Sequence, residues 1–219
     1  MKQFNHVPVT LEELKSTTVE GKRMYETPEG NFPSITTVLS RQVQKQKSLT
    51  QWRKRVGEEN AKKISAQASR RGTGMHKLVE NYLDNQEGFL TEALPDTIQM
   101  FSNLQAVIDL NLDNIRGIEI PLWSSMLGLA GRCDCVAEWN NILSIVDWKT
   151  SSKIKKREWV DDYFLQGTAY SIMFQERTGI PVKQIVIAIS VADEPEPQVF
   201  VENPMNHVPK LKEIIDTYA

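Results

Sequence analysis

An α/β protein with one central mixed β-sheet flanked by helices, and an N-terminal helical region, is what this 219-residue sequence predicts. Three observations lead there. Apolar residues recur at helical spacing through the first half of the chain. Beyond residue 112 the period drops to two over three successive segments, and a helix and another apolar strand then follow. The length suits one domain over 1–219, with an N-terminal hairpin and helical region at 22–112 and a sheet core at 113–219.

Residues 22–32, KRMYETPEGNF, read as a hairpin turning at Pro28-Glu29-Gly30. Ser34 is placed to cap a helix over SITTVLSRQVQ. A basic helix is expected at about 48–68. A third starts near Arg71, with Met75, Leu78, Val79, Tyr82 and Leu83 along one face. An acidic turn at 84–96 leads to a fourth helix at 95–112. Strands follow at 115–124, 128–139 and 142–149, then a helix at 159–178 stopped by Gly179 and Pro181. A buried strand at 182–192, an edge strand at 197–202 and a helix at 205–218 complete the chain.

The composition, 40% hydrophobic and 25% charged, supports a packed core and excludes wholesale disorder. No run nears the roughly 18 apolar residues of a membrane span, and MKQFNHVPVTLEELK lacks the marks of a signal or transit peptide. The only cysteines, Cys133 and Cys135, are too few for a zinc or iron–sulfur site. On a strand they share a face in poor geometry for a disulfide, so a reducing, intracellular (cytoplasmic) setting is expected. The net charge of −2 is unevenly spread. Residues 41–71 hold ten Lys/Arg against Glu58 and Glu59, a local +8; residues 149–157 add +5, leaving −15 for the rest. A polyanion-binding surface on an acidic body fits this segregation, though a solvated helix face also accounts for the first cluster taken alone.

The chemistry concentrates in GLAGRCDCVAEWNNILSIVDWKTSSK, residues 128–153. Asn140-Asn141 suits a two-residue hairpin turn, because Asn tolerates the positive φ it requires. Pairing Trp139 with Ile142 then brings Asp134 opposite Asp147, with Cβ atoms roughly 5 Å apart. Asp147 ends the apolar run Ile142–Val146, which marks a buried strand. Facing carboxylates there need a cation, and Mg²⁺ or Mn²⁺ suits oxygen donors. Lys149, two residues past Asp147, points to the same side; such a trio serves metal-assisted phosphodiester hydrolysis.

G-x-x-D followed by an apolar strand ending in D-x-K resembles the PD-(D/E)XK nuclease superfamily, with Cys133 in place of the usual proline. RGTGMH at 71–76 and the Gln166…Tyr170 pair resemble motifs of the branch with RecB-type nuclease domains. FPSITTVLSR, the W-R-K-R stretch and the motif order look most like the family of mitochondrial genome maintenance exonucleases and their phage relatives. The resemblance covers about residues 22–215 and implies a restriction-endonuclease-like core.

It further implies that His76, Asp134 and Asp147, with the Trp148 carbonyl, hold one or two Mg²⁺ or Mn²⁺ ions, and that Lys149 is catalytic with both aspartates. Gln166 and Tyr170 are implied to touch nucleic acid or brace the lysine. Glu119 matches a glutamate that many relatives carry on the neighbouring strand, for a metal or a water. From the residues themselves, Glu80 at i+4 is a candidate second partner for His76. Arg70 and Arg71 precede Gly-Thr at an expected helix N-terminus, which favours phosphate. Thr150, Ser151, Ser152 and Lys153 follow the catalytic strand and suit another phosphate. Trp52, Trp148 and Trp159 lie near basic stretches, where indoles stack on unpaired bases or pack inside.

The expectation is therefore a Mg²⁺/Mn²⁺-dependent exodeoxyribonuclease on single-stranded DNA, serving phage or bacterial recombination, repair or end-processing. It would be a monomer in the host cytoplasm, without membrane attachment, beside other replication or recombination proteins. A structure-specific endonuclease on the same core and a non-catalytic nucleic-acid-binding module are the alternatives.

Overall fold

A computed structural model of the chain describes residues 2–218. Strands β1 (Ser16–Val19), β2 (Lys22–Thr27) and β3 (Gly30–Pro33) form a small antiparallel sheet. Thr27 pairs with Gly30 around the expected Pro28-Glu29 turn. Ser34 caps α1 (Ile35–Ser40), its hydroxyl accepting the Thr37 N–H at 3.1 Å. The helix stops at Ser40 rather than running on to 44, and α2 (Val43–Val56) begins earlier than the expected 48.

The expected second and third helices are divided elsewhere. The break falls at Gly57 (φ 83°, ψ 146°), a conformation open to glycine, and α3 then runs unbroken over Glu58–Leu83. Arg71 thus lies in mid-helix and starts nothing. Gly72 and Gly74, read as a helix opening, sit where the helix packs closely. A Cβ on Gly74 would come within 2.9 Å of Thr97 Cγ2 on α4 (Pro95–Asn111), which starts at Pro95 as its sequence suggests.

Strands β4 (Leu112–Ser124), β5 (Leu129–Trp139) and β6 (Ile142–Ser151) form an antiparallel meander. Asn140 and Asn141 take φ of 52° and 62°, and Trp139 pairs with Ile142. Helix α5 (Asp161–Thr178) ends on the left-handed Gly179 and crosses to β7 (Gln184–Val191), which lies parallel to β6. β8 (Gln198–Glu202) pairs antiparallel at the edge, and α6 (Val208–Tyr218) closes the chain. The result is an α/β fold with a mixed five-stranded sheet, order β4-β5-β6-β7-β8.

Helices cover both faces. Met75, Leu78, Val79, Phe101, Leu104 and Ile108 of α3 and α4 pack on one, with Cys135, Ala137, Val146, Trp148, Val186 and Ala188 of the sheet. On the other, Phe164, Leu165, Ala169, Tyr170 and Phe174 of α5, helped by α1 and α6, cover Val136, Ile145, Ile185 and Ile187. Gly167 admits this contact, since a Cβ there would lie 2.5 Å from Ile185 Cγ2. The period-2 strands alternate between the two cores, which locks their register.

At one level the alternation fails. Ile118 packs on the α3 side but Ile120 on the α5 side; across from them Cys135 and Cys133 divide the same way. The cysteines therefore do not share a face as an undisturbed strand would require, and both remain free thiols. Glu119, between the isoleucines, takes φ +51°, where a non-glycine residue is strained. Both strands thus change face at this level, β4 at Glu119 and β5 at Asp134, in register. Among the described residues no helix is long and apolar enough to cross a membrane.

Candidate functional site

The disturbed level is where the titratable groups meet. Ile118 pairs with Cys135 and Ile120 with Cys133, so Glu119 lies opposite Asp134. The β5–β6 ladder runs from Trp139–Ile142 to Cys135–Val146 and stops one step short of Asp134 and Asp147. In place of a ladder bond, the Trp148 N–H donates to Asp134 Oδ2 at 3.1 Å. Three carboxylates on three adjacent strands therefore lie in a row where β5 and β6 part.

Helix α3 contributes His76, whose Nδ1 is 3.5 Å from Asp134 Oδ2. Within the site His76, Glu119 and Asp134 form a compact donor set, their ligand atoms all within 4.8 Å of one another. Glu119 reaches it because of its left-handed backbone, and the Arg132 guanidinium donates to its carbonyl. Gly117 is needed two residues earlier, since a Cβ there would lie 2.5 Å from Ile120 Cγ2. Burial pushes the Glu119 carboxyl up to about 6; Asp134 adds to the rise and His76 opposes it.

Asp147 stands beside this set. It is 2% exposed, with Oδ2 2.5 Å from Lys149 Nζ and Oδ1 accepting the Gln166 amide at 3.4 Å. Burial raises it to about 6 against the pull of Lys149, and Asp134 adds to the rise. Lys149 is half-buried, and the flanking aspartates hold its ammonium protonated against that desolvation, its pKa above the usual lysine range. It also lies 5.2 Å from the centre of the Tyr163 ring on α5. One ammonium, one imidazole and three acids thus share one cleft, with two acids pushed up by burial and mutual repulsion. Such a constellation is short of positive charge. Its imidazole and carboxylate donors are compatible with a divalent metal ion.

Other expected site residues fall differently. Glu80 does not support His76; it pairs with Lys77 at 3.0 Å. Tyr170 is 2% exposed and lies over Gly131, where a Cβ would come within 2.7–2.8 Å of its ring and hydroxyl. It braces the sheet and has no surface to offer a substrate. Gln166, 3.5 Å from the Tyr170 hydroxyl, braces Asp147 rather than Lys149. The Ser151 hydroxyl is engaged internally, donating to the Lys153 carbonyl and accepting its N–H. Thr150 lies beside Gly72 of α3, and Lys153 is exposed. Arg70 and Arg71 lose the expected helix N-terminus. With Lys63 they line a groove of about 390 Å³ against Leu94, Asp96 and Thr97, and the buried Arg71 Nε has no partner among the described residues. Trp148 is a core residue whose N–H orients Asp134.

Glu119 is the residue whose weight the sequence understated. The two-residue Asn-Asn turn fixes the β5–β6 register, whereas the link at 125–128 allows several registers between β4 and β5. The available signal was GIEIP itself, a glutamate and a proline in an otherwise apolar strand.

No family model matches the chain. It is 30% identical over 132 residues to mitochondrial genome maintenance exonuclease 1 of Homo sapiens, covering 57% of this chain and 38% of that protein. The Mus musculus and Xenopus tropicalis proteins of the same name are 26% and 28% identical over 131 and 132 residues. The chain thus matches about two fifths of the length of these curated relatives.

Proposed function

We propose that the protein is a metal-dependent nuclease that hydrolyses phosphodiester bonds of single-stranded DNA from free ends. The observation that carries this reading is the carboxylate row Glu119–Asp134–Asp147, closed by His76 on one side and Lys149 on the other. The distant relatives bear the name exonuclease, which favours the same chemistry. His76, Glu119 and Asp134 would hold a divalent ion, with Asp147 beside them. When bound, the ion would polarise the scissile phosphate and lower the pKa of an attacking water.

The chain's own groups supply the remainder. Lys149 stays charged, so it acts as a donor rather than a base, holding a water or a phosphoryl oxygen as negative charge develops there. Gln166 and the Trp148 N–H fix the two aspartates. Helix α2 buries no residue and, like the first half of α3, is lined with Lys and Arg. This basic helical pair suits the backbone of a single strand, and α3 continues from it directly to His76. The Arg71 groove offers a further phosphate contact.

The test is cleavage of linear and circular single-stranded DNA, end-labelled where linear, in Mg²⁺, Mn²⁺ or EDTA. Metal-dependent loss of the linear strand alone, reduced at least about a thousandfold in Lys149→Ala with DNA binding retained, is expected. Cutting of circles would make it an endonuclease. Binding without cleavage in any metal would make the carboxylate row scaffolding.

A further inference from the structure

The loop after the catalytic strand holds a tryptophan where the core has no use for it. Trp159 is 57% exposed, whereas Val160 beside it is fully buried. A freely moving loop would make that exposure unremarkable, but residues 155–161 are fastened at several points. Gln198 of β8 clasps the Lys155 main chain, accepting its N–H at 2.7 Å and donating to its carbonyl at 2.9 Å. Arg157 is tied to Glu202 and, at 2.6 Å, to Asp161, and its guanidinium lies 4.4 Å from the centre of the Phe164 ring. The Trp159 N–H closes a tight turn onto the Lys156 carbonyl at 3.0 Å. The indole is therefore mounted on a fixed turn and presented outward.

Its loop carries Lys153, Lys155, Lys156 and Arg157 against the single acid Glu158. Lys156 Nζ lies 5.6 Å from the indole centre, and Lys153 and Lys156, both exposed, make no ion pair among the described residues. Trp159 lies four residues before Tyr163, whose ring is 5.2 Å from Lys149 Nζ. An exposed aromatic plane among unpaired ammonium groups matches an unpaired base with its flanking phosphates. Bases inside a duplex have both faces covered by neighbours and cannot use such a plane.

We propose that Trp159 is a stacking site for one unpaired nucleobase, with Lys153 and Lys156 meeting the adjacent phosphates, and that it favours single strands over duplex. This rests on the single-strand reading above. The test compares wild type, Trp159→Ala and Trp159→Phe for binding in EDTA, so that no strand is consumed. The probes are a 15-nucleotide oligothymidylate, its abasic counterpart and a duplex of equal length. Trp159→Ala should weaken oligothymidylate binding about tenfold, Trp159→Phe by no more than about threefold, and neither should change duplex binding. The wild type should bind the abasic strand about as weakly as Trp159→Ala binds oligothymidylate. Equal oligothymidylate affinity in wild type and a folded Trp159→Ala, judged by an unchanged melting temperature, would overturn the stacking site and leave the single-strand reading standing. No oligothymidylate binding by the wild type would overturn both.

Discussion

Between Ile118 and Ile120 the chain passes through a left-handed residue that carries a half-buried carboxyl facing another carboxylate. Both features cost free energy in the folded protein, and a bound cation would offset the second. The cost has a pH signature. Below about pH 4.5 Glu119 is protonated folded or unfolded, and nothing is lost. Between 4.5 and about 6 the unfolded chain gives up its proton first, so stability falls as pH rises, and above 6 the full cost is present. Allowing for the water that still reaches the group, that cost is on the order of 1 kcal/mol. Glu119→Gln should therefore gain about 1 kcal/mol in urea unfolding at pH 8 in EDTA, with the gain shrinking towards pH 4.5. The same variant should lose affinity for Mn²⁺. A gain that persists unchanged at pH 4.5 would mean that charge is not the cause.

On the scale of elements, α3 is the informative one. Its 26 residues make a rod of about 39 Å that carries Lys62, Lys63, Arg70 and Arg71 from its first turns to its middle, and His76 and the buried face of Tyr82 in its second half. A continuous helix transmits any displacement of the basic arm to the imidazole, which a hinge at Arg71 would not. Its glycines test that continuity. A Cβ on Gly72 meets only Thr150 Oγ1, at 3.9 Å, so Gly72→Ala should stabilise the protein by about 0.5–1 kcal/mol through helix propensity. Gly74→Ala, which places a Cβ 2.9 Å from Thr97 Cγ2, should instead lose about 1–3 kcal/mol. Thermal unfolding of the two variants distinguishes a helix here from a loop, where both substitutions would cost. The R-G-T-G stretch reads as a helix start from sequence because glycine is a poor former of helix interiors. The packing of α3 against α4 and β6 outweighs that propensity.

On the scale of the whole molecule, the site joins both helical layers at the one level where β5 and β6 part. His76 comes from the α3 side, Asp147 and Lys149 meet α5, and Asp134 stands between them. A divalent ion bound there would tie the two layers together. At a hundred times its dissociation constant it should add about 2.7 kcal/mol, or roughly 5–10 °C in melting temperature. The gain should be largest above pH 7 and fade below about pH 6, because protons then compete for Glu119 and Asp147. Calorimetry with Mn²⁺ at pH 7.5 and 5.5, reversed by EDTA, measures this; an equal shift at both pH values would place the ion elsewhere. By itself the sequence determined the strand meander, the β5–β6 register that brings Asp134 and Asp147 one step beyond the last pair of the ladder, and the place of Lys149 beside Asp147. These follow from a two-residue Asn-Asn turn, which sets the β5–β6 register, and from the period-2 alternation of β6, both of them local. Only the tertiary structure decided that Glu119 joins His76 and Asp134, that Tyr170 is buried under Gly131, that Glu80 turns away to Lys77, and that α3 is unbroken. Each of these depends on distances between elements far apart in the chain, set by how the helices pack on the sheet. No local pattern of residues encodes those distances.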